Sequence, residues 1–140
     1  MASPSEHARQ WRHNRSLVPL FLDYPDWIVT VTFYAALHVV DALLAADKVS
    51  RITSHDARND VLKRTNRYHD IWKRFAPLYN LSRTVRYLAN PGDWIPAEAI
   101  ERQVLNGLLY PIEASVARKL PDLESPPPIQ LGMGPRIRGE

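Results

Sequence analysis

The chain has 140 residues and a mass of 16.1 kDa, which predicts a single domain able to bury a core without disulfides or metal. It contains no cysteine, which excludes a disulfide scaffold, a cysteine nucleophile, iron–sulfur clusters and thiolate zinc sites. It has only 5 glycines and no glycine-rich dinucleotide or P-loop motif, which disfavours those enzyme classes.

The net charge of +3 is unevenly distributed along the chain. Residues 48–87 hold ten basic and three acidic side chains, a local charge of +7, and arginine outnumbers lysine 14 to 4 over the whole chain. A guanidinium binds phosphate through two parallel hydrogen bonds, so this basic middle favours phosphate recognition. A solvated helix surface with Arg–Asp ion pairs accounts for the same pattern, and composition does not separate the two interpretations.

The first predicted helix begins at Pro4 and runs to about Leu22. Ser3 is suited to the N-cap position, and Glu6 stands where it completes a capping box. Pro19 has no N–H to continue the hydrogen-bond ladder, so we expect it to kink the last turn.

Residues 26–46 predict a second helix that is apolar on nearly every side, as in a central buried helix or a membrane span. His38 and Asp41 lie past its middle, and an ionised Asp there costs about 2.5–3.5 kcal/mol on insertion scales. We therefore expect a buried helix and no membrane association. Residues 1–20 carry basic side chains and no apolar stretch, so we expect no signal peptide and a cytoplasmic location.

The rest of the chain predicts further helices and then a change of composition. Residues 54–66, 69–89 and 96–119 predict three helices, with a turn at 90–93 and kinks at Pro77 and Pro111. No strand-like alternation occurs, so the fold class is all-α. Residues 121–140 hold 5 of the 12 prolines and 3 of the 5 glycines. We expect a helical domain over 1–120 and a disordered tail or short docking peptide over 121–140.

The apolar second helix carries one polar stripe. At 100° per residue, its members fall within about 80° of the helix wheel. They are Thr30, Tyr34, His38 and Asp41. A carboxylate one turn beyond an imidazole stabilises its charged form, so we expect Asp41 to prepare His38 for proton transfer or phosphate contact. A core histidine that is bonded to another helix is the alternative.

Two later helices also place polar groups on one face, at spacings of three and four residues. The groups are His55, Arg58 and Asn59, and then Tyr79, Ser82, Arg83 and Arg86. If the faces converge they form a basic cleft, and if they diverge they are ordinary surface. We expect no metal and no other cofactor, because neither H-x-x-x-H nor E-x-x-H spacing occurs.

Three stretches of this sequence carry a family resemblance. The string WIVTVTFYAALH at residues 27–38, followed by Asp41, resembles a helix of small bacterial HEPN-like proteins, the higher-eukaryote and prokaryote nucleotide-binding class. S-H-x-x-R-N at 54–59 and Y-x-x-S-R-x-x-R-Y at 79–87 agree in order and spacing. The resemblance covers about residues 7–118. It implies an up-and-down bundle of about five helices, often dimeric, with a cleft at the dimer interface.

The resemblance also implies a function. Many HEPN-like proteins look like metal-independent endoribonucleases of the toxin or defence type. Others look like nucleotide-binding proteins or antitoxin-controlled partners of small nucleotidyltransferases, so an antitoxin or another protein is a further expected partner. In the ribonucleases, a late Arg-x(4–6)-His motif cleaves RNA through a histidine proton shuttle and an arginine cation. Here one match occurs, at residues 64–69, which chance explains in an arginine-rich chain, and no histidine follows His69.

The sequence therefore predicts a domain that binds RNA or a nucleotide phosphate, and leaves open whether it cleaves. The expected catalytic residues are His38, His55 and Arg83, the expected phosphate-binding residues are Arg58, Asn59, Arg86 and Tyr87, and the expected supporting residues are Tyr34, Asp41 and Ser82. The competing hypothesis is a non-catalytic helical scaffold whose polar stripes form a buried network, and which dimerises or docks a partner protein.

Overall fold

The computed structural model describes residues 2–50, 52–87 and 96–131 and contains helices and connecting segments, with no strand among those residues. The all-α prediction is confirmed. The first four α-helices are α1 (Pro4–Leu17), α2 (Pro25–Ala46), α3 (His55–Arg64) and α4 (His69–Arg86). A last, continuous helix consists of α5 (Ala97–Ala99), a π-helical segment (Ile100–Leu109) and α6 (Tyr110–Lys119). The turn predicted at 90–93 lies outside the described residues.

The predicted helix starts are confirmed by their capping hydrogen bonds. The Ser3 hydroxyl accepts from the Glu6 N–H at 3.1 Å, and the Glu6 carboxylate accepts from the Ser3 N–H at 2.8 Å. The Ser54 hydroxyl accepts from the Ala57 N–H at 3.0 Å at the start of α3. Each bond satisfies an N–H that has no partner within the helix, so these starts follow from local chemistry alone.

The prolines act differently from one another. The first helix is α-helical only to Leu17 and then continues as a 3-10 turn, Val18–Phe21, which contains Pro19. In contrast, α4 continues through Pro77 without a break. The π-helical segment, which the sequence did not indicate, ends just before Pro111. In a regular α-helix the ring of this proline would collide with the carbonyl four residues earlier. That carbonyl lies in the π-helical segment, whose wider turns leave more room for the ring.

The core forms around α2, which packs against α1, α4 and the last helix. By length and composition α2 could cross a membrane, but most of it is buried inside the bundle. Ile28, Phe33 and Leu43 have no exposed surface, and the Phe33 ring centroid lies 5.6 Å from that of Phe75 on α4. This agrees with the prediction of a central buried helix, whose apolar surface is covered on nearly every side by other helices.

Neighbouring long helices run in opposite directions. Asp47, just after α2, accepts a hydrogen bond from Tyr68, just before α4, whereas Phe33 contacts Tyr79 well along α4. The last residue of α6, Lys119, donates to Asp70 in the first turn of α4 at 2.8 Å, so the end of α6 lies beside the start of α4. These contacts show the up-and-down arrangement directly.

The C-terminal segment differs in part from the prediction of a disordered tail over 121–140. Residues 121–131 are ordered, and Leu123, Ile129 and Leu131 are buried against the helical core. This part of the predicted tail therefore packs on the helical bundle. Residues 132–140 lie outside the described part of the chain.

Two hydrogen bonds also hold this segment, which we call the C-terminal strap (residues 121–131). Arg15 on α1 donates to the Pro127 carbonyl, and the Glu101 carboxylate accepts from the Leu131 N–H at 2.7 Å. The prediction of disorder depended on the high proline content, but a proline-rich segment is stiff as well as irregular. It loses less conformational entropy on docking than an ordinary segment would, so a few buried apolar side chains suffice to order it.

Truncation of Ile129 tests whether the strap contributes to the core. We expect Ile129→Ala to lower the free energy of unfolding by about 2 kcal/mol, because a buried aliphatic side chain is removed. The matched control is Gln130→Ala, since Gln130 is the next residue and is exposed, and its effect should stay within about 0.5 kcal/mol. Urea unfolding of both variants measures this, and equal effects would show that the strap does not form part of the core.

The end of α2 contains an unusual backbone position. Lys48 has φ of 61°, in the left-handed region, and its N–H donates to the Ala45 carbonyl at 3.0 Å. The Val49 N–H donates to the Leu44 carbonyl at 2.9 Å, which completes a Schellman motif. Glycine is the usual residue at the left-handed position, because a Cβ there crowds the following carbonyl.

We therefore expect Lys48→Gly to stabilise the protein by about 0.5–1 kcal/mol. The substitution removes the strain of a Cβ in the left-handed region, and the greater conformational entropy that glycine loses on folding offsets part of this gain. Lys48→Ala retains the Cβ and removes the same charge, so it should give no comparable gain. Thermal and urea unfolding of the two variants measure the difference. A gain of equal size in both would assign the effect to charge and not to backbone strain.

Candidate functional site

Polar side chains from the first three helices meet along one side of α2. We call this group the polar cluster; its members are His7 of α1, His38 and Asp41 of α2, and His55 and Arg58 of α3. The predicted polar faces of α2, α3 and α4 do converge, because Asp41 bonds Arg58, and His55 contacts Tyr79 of α4. The cluster is partly buried, so water screens its charges less and its members interact mainly with one another.

A buried ion pair lies at the centre of the polar cluster. Arg58 donates through Nε to one oxygen of Asp41 at 2.7 Å and through a terminal nitrogen to the other at 2.9 Å. Each residue is only 8% exposed. This two-point geometry matches a guanidinium to a carboxylate and compensates for burying both charges. The guanidinium expected to bind phosphate is therefore bound by a carboxylate of the same chain.

His38 has a different partner from the one expected. Its Nδ1 lies 3.3 Å from Nδ1 of His7, while both oxygens of Asp41 accept from Arg58. Burial lowers the pKa of His38 most, and His7 lowers it further; Asp41 raises it and Arg58 opposes that effect. The neutral imidazole is thus favoured at His38, whereas the expected Asp41 contact would have favoured the charged form.

His7 is the member of the polar cluster that sequence reasoning missed. It comes from α1, 31 residues away from its partner. Spacing within one helix identifies neighbours three or four residues apart and says nothing about a residue on another helix. The antiparallel packing of α1 on α2 brings the two rings together, with centroids 5.5 Å apart.

His55 is held between aromatic rings and a cation. Its ring centroid lies 5.8 Å from Phe33 and 5.7 Å from Tyr79, and its Nδ1 lies 3.3 Å from a terminal nitrogen of Arg58. A guanidinium only donates, so Nδ1 of His55 accepts and the ring proton is on Nε2. Burial lowers the pKa of His55 most, followed by Arg58 and Arg86. Asp41 and Asp56 act in the opposite direction.

The face of α4 beside His55 is cationic and aromatic. Arg83 lies with its guanidinium carbon 5.6 Å from the centroid of the Tyr79 ring, which itself contacts His55. Arg83 and Arg86 are exposed, and neither forms an ion pair with an acidic residue in the part of the chain that the structure describes. Tyr87 follows directly and is 84% exposed. We call this surface, from Tyr79 to Tyr87 just after the helix, the α4 face.

Other predicted site residues have structural contacts. Ser82 is buried and donates to the Tyr79 carbonyl at 2.8 Å within α4. Tyr34 packs edge-on against Phe33, with ring centroids 5.3 Å apart. Thr30 donates to the Asp26 carbonyl at 2.9 Å. The Asn59 side-chain oxygen is buried and has no hydrogen-bond partner among the described residues.

The arrangement divides into two parts on either side of the Asp41–Arg58 ion pair. The His7–His38 contact lies on one side, and His55 with the α4 face lies on the other. On the second side, two guanidinium groups and the Nε2–H of His55 can all donate to an anion. Proton transfer by His55 would first require Arg58 to leave Nδ1, because an imidazolium carries a proton on both nitrogens. The geometry therefore favours binding over acid–base chemistry.

Comparisons of the chain with protein-family models, curated proteins and solved structures found no match. Over residues 2–50, 52–87 and 96–131, no group of three or more His, Asp or Glu side chains is placed to hold a metal ion. A functional interpretation therefore depends on the contacts and charges of the polar cluster and the α4 face.

A double-mutant cycle measures the contribution of the Asp41–Arg58 pair. Asp41→Leu or Arg58→Leu alone should lower the free energy of unfolding by about 3–5 kcal/mol, because each leaves one buried charge unpaired. The double variant should recover most of that loss, since no buried charge remains. Urea unfolding of the four proteins gives the coupling energy. Additive losses would show that the two side chains do not depend on each other.

Proposed function

We propose that this chain is an RNA- or nucleotide-phosphate-binding domain of the HEPN-like kind, with the phosphate held at the α4 face beside His55. One observation supports this most directly. Arg83 and Arg86 are exposed without an acidic partner among the described residues, next to a neutral histidine that presents an N–H. The resemblance at residues 27–38, 54–59 and 79–87 points to the same class of ligand.

The chemistry of the α4 face fits a phosphodiester. Two guanidinium groups one turn apart supply charge and several N–H donors, and the Nε2–H of His55 adds a neutral donor. Tyr87, which is exposed beside Arg86, offers a ring on which a base can stack. Arg58 contributes indirectly, because its bond to Nδ1 of His55 directs the ring proton to Nε2.

The enzymatic form of this proposal is a metal-independent endoribonuclease of the toxin or defence type. Arg83 would stabilise the charged phosphorane, and His55 or His38 would move the proton. For His55, the reaction requires the Arg58 contact to open during catalysis. Binding requires no such rearrangement, so it is the part of the proposal that the observed geometry supports.

Loss of the two α4 arginines tests the binding site. We expect Arg83→Ala with Arg86→Ala to weaken binding of a fluorescein-labelled single-stranded RNA at low salt by at least about tenfold, since two phosphate contacts are lost. The slope of log affinity against log salt should fall by about 1.4. Fluorescence anisotropy at several salt concentrations measures both quantities.

The matched control is Arg9→Ala with Arg64→Ala, which removes the same charge from two other exposed arginines on α1 and α3. If both double variants lose affinity equally, the RNA is responding to net charge and there is no site on α4. Incubating wild type with the same RNA in EDTA separates binding from cleavage. Cleavage that is lost in a His38→Ala, His55→Ala variant would identify the enzymatic form.

The second candidate is the non-catalytic scaffold that dimerises or docks a partner. The observation that favours it is that Asp41–Arg58 and His7–His38 each join two helices through partly or fully buried polar contacts. Such contacts can specify how helices are aligned. No salt-sensitive RNA binding by the wild type would favour this function over the first.

A further inference from the structure

We propose that the His7–His38 contact is an acid-sensitive latch that holds the first half of α1 against α2. On acidification both imidazoles become charged, the contact breaks, and residues 4–10 separate from α2 while Trp11 keeps the second half docked. The proposal concerns the contact between α1 and α2 and not the phosphate-binding face of α4, so it does not depend on the proposed binding function.

The bonding of the two rings limits how many protons the pair can hold. With Nδ1 atoms 3.3 Å apart, one ring must donate a proton and the other must offer a lone pair. The pair tolerates one imidazolium, because that ring can be the donor. It does not tolerate two, because two N–H groups would then face each other with like charges at contact distance.

The packing of α1 shows why this contact matters. Trp11 is 1% exposed and its indole N–H donates to buried Glu113 at 2.8 Å, so the middle of α1 is firmly anchored. Before Trp11, no described side chain of α1 is buried, and Ala8 is only partly buried. The His7–His38 bond is the one side-chain hydrogen bond between this first half and another helix among the described residues.

Two cavities flank the same half of the helix. One, of about 190 Å³, is lined by His7 and Asp41 together with apolar residues at the end of α2 and beyond it. The other, of about 340 Å³, lies beside Pro4, Ser5 and Ala8, against the start of the C-terminal strap. The two cavities leave part of the surface of this half of α1 without a packing partner.

The charged groups that act on His38 come from three helices. His7 faces it from α1, Asp41 from its own helix and Arg58 from α3. Asp41 and Arg58 oppose each other, so His7 and burial determine the outcome, and the pKa of His38 lies below its ordinary value. When the pKa of a histidine is lower in the folded state than in the opened state, the opened state binds the proton more tightly, so protonation favours opening. The stability that this contact contributes is therefore complete above about pH 6.5, the ordinary pKa of histidine, and is lost as the pH falls below that value.

Amide hydrogen exchange at pH 7.5 and pH 5.5, corrected for intrinsic exchange rates, tests the latch in the full chain. In the wild type, protection of residues 5–10 should fall about tenfold at the lower pH, from the repulsion of two charges at contact distance. Protection across α2 should not change. In His7→Gln the difference between the two pH values should become much smaller, because the repulsion between two imidazolium rings is gone and only the burial of His38 still lowers its pKa. His13→Gln is the matched control, since His13 is an exposed histidine on the same helix, and should behave like wild type.

Two results would overturn the latch. One is equal protection of residues 5–10 at both pH values in the wild type. The other is a pH response in His7→Gln that is as large as in the wild type. An NMR titration of wild-type His38 avoids any substitution: its pKa should lie below the ordinary histidine value of about 6.5, and a pKa at or above that value would also contradict the proposal.

Discussion

The buried ion pair between Asp41 and Arg58 is the interaction on which the arrangement of the polar cluster depends. An unpaired carboxylate in the middle of the apolar helix α2 would cost several kcal/mol, on the order of the whole margin of stability. Arg58 compensates for it at two points and so determines how α3 lies on α2. α3 in turn packs on α4 and brings His55 against Tyr79.

The same ion pair determines the chemistry available on either side of it. Because Arg58 also donates to Nδ1 of His55, it favours a neutral ring whose proton is on Nε2. Because Arg58 opposes the effect of Asp41 on the pKa of His38, the carboxylate does not favour the charged form of His38, which pairs with His7 instead. One guanidinium therefore contacts both the carboxylate beside the His7–His38 pair and the histidine beside the α4 face, where we propose that phosphate binds.

Much of the fold could be predicted from the sequence, because helix starts and burial patterns are local. Helix starts at Ser3 and Ser54 are indicated by the capping residues themselves. Burial of α2 is indicated by its own run of apolar side chains. Predictions based on composition were less accurate. The proline-rich strap is ordered through residue 131, because Leu123, Ile129 and Leu131 find an apolar surface that only the assembled bundle provides.

For the candidate site, the sequence by itself determined which side chains share a helix face, because the helical repeat places residues three and four apart together. Only the tertiary structure decided their partners. Asp41 lies one turn from His38, yet it bonds Arg58, because a guanidinium from another helix offers two hydrogen bonds where an imidazole offers one. His7 likewise became a partner of His38 through the antiparallel packing of α1 on α2. Contacts between helices depend on packing and direction, which no spacing along a single helix encodes.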